Sequence, residues 1–306
     1  MNRSRKAPAL LSLAVAMSAW AMAPVFIRYM RGSYDPYSQA FIRYLFAAMI
    51  LSAVCLVLYR QDFLRLLRRP GMILGLVCVN IVHQLSWTVG CYHVSATLAQ
   101  LITELGVVFV IIFSFFLFHE ERRVIRSPVY LSGTALSFVG AAAVLTGGGH
   151  ATGATVPWAA GLLMITALCW GIYVVWAKHI VMDCHPVPMF AVLSVYITLG
   201  LAIVALLFGS PVCIFEAGSR ITLIAFISGM LPLAAAHPSF HFAQKYLGSA
   251  FSSSCNLFAP LLTFVFASIF LDDAPLTLMQ WAGAAVLITG TLMVVRTGQR
   301  SPESHS

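Results

Sequence analysis

Charge is scarce in this chain. Only 9% of its 306 residues are Asp, Glu, Lys or Arg, against 60% that are hydrophobic. A soluble domain cannot absorb so much apolar side chain in one core, so a water-soluble globular fold is excluded. The seven cysteines, at 55, 78, 91, 169, 184, 213 and 255, contain no Cys-x-x-Cys and are odd in number. That argues against a disulfide framework and a cysteine metal site, and leaves small packing residues in a reduced protein. No Walker A sequence is present, so this chain alone is not an ATP-driven pump. No Gly-x-Ser-x-Gly appears either, and no low-complexity tract is long enough to matter.

Apolar runs of membrane length fill the space instead. Crossing the ~30 Å hydrocarbon layer takes about 20 apolar residues. Ten stretches qualify: roughly 9–30, 36–59, 71–91, 95–118, 128–147, 157–180, 186–208, 221–244, 249–271 and 277–296. Gly and Pro are scattered through them without ending them, as in bilayer helices. The formal net charge of +8 follows topology and not a nucleic-acid surface. With the N-terminus inside, the inner segments carry Arg3, Arg5, Lys6, Arg60, Arg65, Arg68, Arg69, Arg122, Arg123, Arg126, Lys178, Lys245, Arg296 and Arg300. The outer segments carry Arg28 or Arg31 near one helix end, Arg220, and the acids Asp272 and Asp273. This positive-inside bias predicts ten spans with both termini cytoplasmic, and the expected location is the bacterial inner membrane.

The chain is also written twice. Trp20 and Pro36 recur 150 residues later as Trp170 and Pro186, and Tyr92 and Ser95 recur 154 residues later as Tyr246 and Ser249. Each copy holds five spans. Five is odd, so the second copy enters the membrane from the opposite side, the inverted-repeat plan of secondary transporters. The halves are 9–147 and 157–296. Residues 147–153, Gly-Gly-Gly-His-Ala-Thr-Gly, form an outer linker, and 297–306 a short polar tail expected to be disordered and cytoplasmic. The first 23 residues imitate a signal peptide, with Ala21-Met22-Ala23 as an apparent cleavage site. Retention is expected, because Trp20 has its partner Trp170 inside a later span. Acids precede the last span of each half, as His119-Glu120-Glu121 and Leu271-Asp272-Asp273. Those last spans carry Gly133 and Gly140, and Gly283 and Gly290, on faces that allow close helix approach.

These landmarks resemble the EamA-type transporters of the drug/metabolite transporter superfamily over nearly the whole chain. Ser18-Ala19-Trp20-Ala21 and Leu168-Cys169-Trp170-Gly171 look like the family's tryptophan in the first helix of each half. Arg43 in Phe41-Ile42-Arg43-Tyr44 looks like its second-helix arginine. Ala259-Pro260-Leu261 followed by Asp272 looks like its proline, apolar helix and acid. The first half departs from that pattern, with Gly106 where Pro260 predicts proline, and with Glu104 where the second copy has Phe258. The resemblance implies ten helices, a central cavity and export of small polar metabolites; it does not fix the substrate.

Ionisable residues inside a bilayer are costly and mark function by default. Arg43, His83, Glu104 and His237 lie within spans. At 1.5 Å per residue, Arg43, His83 and Glu104 share a depth of roughly 10–14 Å below the outer surface. Thr97, Gln100 and Glu104 share one helix face; Asn80, His83, Gln84 and Trp87 form a second stripe; His237, His241 and Gln244 form a third. His83 and His237 are repeat partners, as are Trp87 and His241. An unpaired carboxyl away from water can carry a proton, which makes Glu104, with His83 and His237, the proton-coupling candidates. The plainer alternatives are a Glu104–Arg43 ion pair that neutralises two buried charges, and interhelical hydrogen bonds for the histidines. Trp20 and Trp170 sit near mid-span, with Tyr44, Trp87, Tyr92, Tyr173, Trp176 and Tyr196 adding aromatic surface. They offer either a cation–π cage or ordinary helix packing. The expected substrate contacts are Trp20, Arg43, His83, Trp87, Glu104, Trp170, Tyr173, His237 and Asn256.

Pro24, Pro232, Pro238 and Pro260 lie inside helices, where they bend the axis as hinges or static kinks. Arg28 and Lys178, repeat partners at helix ends, are expected to snorkel to opposite interfaces. The reading is an all-α membrane protein of ten transmembrane helices in two inverted five-helix repeats. It is a secondary transporter, not an enzyme, exporting amino acids or related amines by alternating access. No cofactor, metal or nucleic acid is expected. Its partners are a small-molecule substrate and the lipid bilayer, with monomer and homodimer both open. A lipid or lipid-linked flippase is the alternative. A membrane-embedded enzyme is remoter: His237-Pro238-Ser239-Phe240-His241 has two histidines at i and i+4, but Pro238 stands where a zinc protease needs Glu. A sensor or channel also remains.

Overall fold

The computed structural model describes residues 3–68, 71, 73–146, 157–271 and 277–300. The 147–153 linker, Asp272 and Asp273, and residues 301–306 of the tail lie outside the described residues. Every regular element among the described residues is helical. In the first half, α1 (Arg3–Ala21) and α2 (Ala23–Met30) make one span with a break between them. Then come α3 (Pro36–Leu58), the short α4 (Arg60–Leu67) and α5 (Leu74–His93). A second broken span joins α6 (Ala96–Glu104) to α7 (Gly106–Leu117), followed by α8 (Arg122–Ile125) and α9 (Pro128–Thr146).

The second half repeats the plan. It runs through α10 (Pro157–Asp183), α11 (Pro186–Phe208), the short α12 (Cys213–Glu216) and α13 (Gly218–Gly229). A π-helical stretch, Met230–Ala235, leads into α14 (Ala236–Leu247). The next span is α15 (Ser249–Cys255), a 3-10 turn at Asn256–Phe258 and α16 (Ala259–Phe270). The last helix, α17, is Leu278–Arg300, so residues 297–300 are helical where the sequence suggested tail. Among the described residues, eight segments are long and apolar enough to cross a membrane; α17 adds a shorter apolar run, Trp281–Thr297, and α9 packs along it. Large apolar side chains such as Leu206, Leu207 and Phe208 face outward, as a lipid-facing surface requires.

Local chemistry sets the starts. Pro36 and Pro186 open α3 and α11, where a missing N–H costs nothing. The Asp35 carboxylate caps α3 by accepting from the amides of Tyr37 and Ser38 at 3.0 and 2.9 Å. At the equivalent place, His185 Nδ1 accepts from Val187 N at 3.3 Å to cap α11. Ser95 Oγ caps α6 through Leu98 N at 3.2 Å.

Helix partners follow the repeat. α1 packs on α14 as its copy α10 packs on α5, while α3 meets its own copy α11 and α9 its own copy α17. The self-pairs run antiparallel. Tyr37 meets Phe208 at 6.0 Å between ring centroids, and at the other end of the same helices Tyr59 stacks on His185 at 4.5 Å. Gly133 faces Gly290 while Gly140 faces Leu287. This two-fold relation is the inverted repeat made physical. It also defines two ends. At the Tyr34 end, Tyr92 Oη donates to Tyr34 O and Asp35 accepts from Ser210 N. At the Arg60 end, Tyr196 Oη donates to Leu67 O and Glu121 accepts from Ser249 N.

A central cavity with separated charges

Irregular backbone gathers around one cavity. Proline deprives the carbonyl four residues earlier of its helical donor. Pro24 does so at the α1–α2 break, Pro232 within the π stretch and Pro260 beside the 3-10 turn. The first half makes its corresponding break with Gly106 instead. A Cβ there would lie 3.0 Å from the Ala167 carbonyl oxygen and from Trp170, so glycine lets α7 come up against α10. Irregular backbone at membrane depth is tolerated where it lines a cavity.

That cavity encloses about 590 Å³ including its mouth. Trp20, Arg43, His83, Trp87, Glu104, Trp170, His237 and Asn256 all line it, so the structure brings together eight of the nine residues expected to contact substrate. Gln84 and Gln100, on the expected polar stripes, line it too. Ala23, Thr103, Thr166, Pro232 and Leu233 also contribute, and nothing in the sequence singles out the first three or Leu233. The ninth residue, Tyr173, does not reach the cavity. It stacks behind Trp170 at 5.6 Å, and its hydroxyl is engaged with His241 Nε2 at 2.8 Å.

The two charges of the cavity stand apart. Glu104 Oε1 accepts from Gln100 Nε2 at 2.7 Å and from Asn256 Nδ2 at 2.8 Å. Arg43 Nε donates to Ser228 Oγ at 2.8 Å, a partner the sequence did not flag. Among the described residues the ion pairs are those of Lys178, and none joins Arg43 to Glu104. The mutual neutralisation weighed from sequence is therefore not formed.

Between the halves lies an aromatic clamp built on repeat partners. Trp20 and Trp170 meet edge to face at 5.1 Å. Trp20 packs 5.1 Å from His237, and its copy Trp170 packs 5.8 Å from His83, the copy of His237. The Trp20 indole N–H donates to the Pro232 carbonyl oxygen at 2.9 Å. His237 stacks on Phe190 at 4.3 Å, and its Nδ1 has no hydrogen-bond partner among the described residues. The remaining aromatics serve packing. Tyr44 Oη donates to Asn80, Tyr92 and Tyr196 donate to the Tyr34 and Leu67 carbonyl oxygens near helix ends, and Trp176 packs over Gly75.

Lys178 departs from its expected snorkelling. It is 4% exposed, and its Nζ donates to Glu120 at 2.9 Å and to Glu121 at 2.5 Å while lying 3.8 Å from the Phe118 ring centroid. Burial works against the Glu120 charge, but the Lys178 hydrogen bond, a backbone hydrogen bond and the Lys178 charge together outweigh it and hold that carboxyl below its ordinary value. The Glu121 carboxylate also accepts from the amides of Ser249 and Ala250 at 2.8 and 2.7 Å. An acid distant in sequence thus satisfies the start of α15. The copy of Lys178, Arg28, donates to the Val94 carbonyl oxygen.

The profile of the EamA-like transporter family matches the chain twice, over residues 7–146 and 157–296. A solved structure described as a crystal structure of a protein aligns with a TM-score of 0.76 at 18% identity. The alignment covers 98% of this chain and 100% of the other, a likeness of fold. Among curated proteins, none matches.

Proposed function

Since the chain belongs to the EamA-like transporter family, and is thus a multi-pass membrane transporter, we propose that it exports small polar metabolites, with amino acids and related amines as the lead class. The observation that carries this reading is the pair of separated charges in one cavity. A zwitterion offers an ammonium to Glu104 and a carboxylate to Arg43, and each buried charge then gains the partner it lacks. A simple anion or cation would leave one of them uncompensated. Trp20 and Trp170 add flat faces that attract the cationic part of the cargo. The remaining contacts are His83, Trp87, His237 and Asn256.

In this reading, Glu104 also exchanges the coupling proton, with His83 and His237 as the other groups able to hold one. Substrate and proton compete for the same carboxylate, which ties uptake of one to release of the other. The halves, 9–147 and 157–296, are the two bodies that rock against each other, in an inner membrane with both termini cytoplasmic.

The test compares metabolites released by cells expressing the wild type, Glu104→Gln and an empty vector, at equal protein levels. The expected result is one class of amino acid or amine accumulating outside with the wild type alone. Matching profiles in all three would overturn soluble export and bring import or lipid flipping forward.

A further inference from the structure

At the Arg60 end, the repeat shows what stands in place of residues that line the cavity. Ala23 and Trp87, which line the cavity, have Tyr173 and His241 as their copies. Gly90, on the same helix as Trp87, has Gln244. These three second-half residues form a chain of hydrogen bonds that the first half cannot make. Tyr173 Oη meets His241 Nε2 at 2.8 Å, and His241 Nδ1 meets Gln244 Oε1 at 2.9 Å. Gln244 Nε2 donates to Ser249 Oγ at 2.9 Å and to the Val174 carbonyl oxygen at 2.6 Å. Because the amide nitrogen is committed to these acceptors, its oxygen accepts from His241 Nδ1–H, and His241 Nε2 accepts the tyrosine proton. Ser249 N then reaches Glu121, and Glu121 reaches Lys178. The chain runs from just behind Trp170, in the cavity wall, to the buried Lys178–Glu121 pair, and it ties α10, α14, α15 and the loop before α8 together.

We propose that this relay is the gate of the Arg60 end. Opening that end requires α15 to leave α10 and α14, which breaks the Gln244–Ser249 and Lys178–Glu121 contacts together. The path it would uncover is marked by unpaired polar groups. Residues 249, 252, 253 and 256 lie on one face of the helix, running from the relay to the cavity residue Asn256. The hydroxyls of Ser252 and Ser253 on that face are fully buried and have no hydrogen-bond partner among the described residues. Such groups are costly when dry and are satisfied by water when the path opens. Tyr173 and Gln244 are thus positioning residues: they touch no cargo and set which end is open.

The gate rests on the transporter reading, and its test needs no cargo. Two reporters are made in a chain whose native cysteines are replaced by Ala or Ser: Ser253→Cys on the path and Thr103→Cys in the cavity. Each is reacted with a bulky hydrophilic maleimide, with and without Lys178→Met or Gln244→Leu. The expected result is reciprocal. Breaking the relay speeds labelling at 253 at least tenfold and slows labelling at 103, while Lys178→Arg restores the parent rates. An unchanged rate at 253 overturns the gate. Faster labelling at both positions also overturns it, because that marks a loosened fold. Neither result bears on metabolite release by the wild type, so failure of the gate and failure of the export reading are read separately.

Discussion

Glu104 is a carboxyl buried beside two amides and no cation, which makes it a test of function against stability. Breaking a true buried ion pair costs about 3–5 kcal/mol, because the surviving charge is stranded. Glu104 has no such partner. Glu104→Gln, which keeps the shape, should therefore leave the melting temperature in detergent unchanged or raised while transport is lost. A fall of several degrees would restore the ion-pair reading. Outside the membrane, Asp35 gives the opposite case. Burial opposes its charge, but hydrogen bonds from Ser38, Ser210 and Tyr37 outweigh it and hold the carboxyl below its ordinary value. A depressed carboxylate adds stability above its unfolded value, near 3.9, and that stability is lost as pH falls through the folded value. Wild type should thus lose melting temperature between about pH 5 and pH 3, and Asp35→Asn should start lower and change less over that window. Parallel profiles would remove Asp35 from the account. At this scale the site was largely legible: a charged or histidine side chain in an apolar run has few explanations, and Arg43, His83, Glu104 and His237 all line the cavity. Tyr173 and Lys178 are instead engaged outside the cavity, with His241 and with Glu120 and Glu121, a distinction that depends on packing between helices far apart in sequence.

Elements were legible to the extent that backbone rules are local. Proline marks helix starts at Pro36 and Pro186 and breaks at Pro24, Pro232 and Pro260, and the α6–α7 break was missed as a break because Gly106 makes it without proline. The seven-residue glycine spacing on α9 and α17 indicated close approach, and the structure gives its severity. A Cβ on Gly290 would sit 2.6 Å from the Gly133 carbonyl oxygen and 2.6 Å from Ser137 N, both backbone atoms that cannot rotate away. Gly290→Val should therefore cost at least the ~1–3 kcal/mol of an overpacked interface, with a lower melting temperature and lower yield. Gly161, with nothing within 4 Å of its Cβ position, is the control. Gly161→Ala should leave stability equal or improve it by roughly 0.5–1 kcal/mol, because alanine is the better helix residue. Equal melting for both variants would deny that α9 and α17 are held by close approach.

At the scale of the molecule, the odd number of spans per repeat implied inversion, and the antiparallel contacts of α3 with α11 and α9 with α17 carry it into three dimensions. What periodicity left hidden is how far the halves have diverged where they face each other. Ala23 and Tyr173 are copies, as are Ala40 and Phe190, and Ser86 and Phe240. The large member is fully buried in each case, and of the three small members Ala23 lines the cavity. Fold symmetry is thus joined to side-chain asymmetry where the halves meet. It also gives a substitution with a defined outcome. Ala23→Tyr places in the first half the residue the second half already uses to fill its end. Tyrosine there projects into the cavity beside Trp20 and Trp87, so it competes with cargo and leaves the lipid-facing surface untouched. Transport should be lost while helicity and melting temperature stay near wild type, and labelling of Thr103→Cys in the same background should slow. Full transport by Ala23→Tyr would mean that cargo takes another path, and the assignment of this cavity as the route would fall with it.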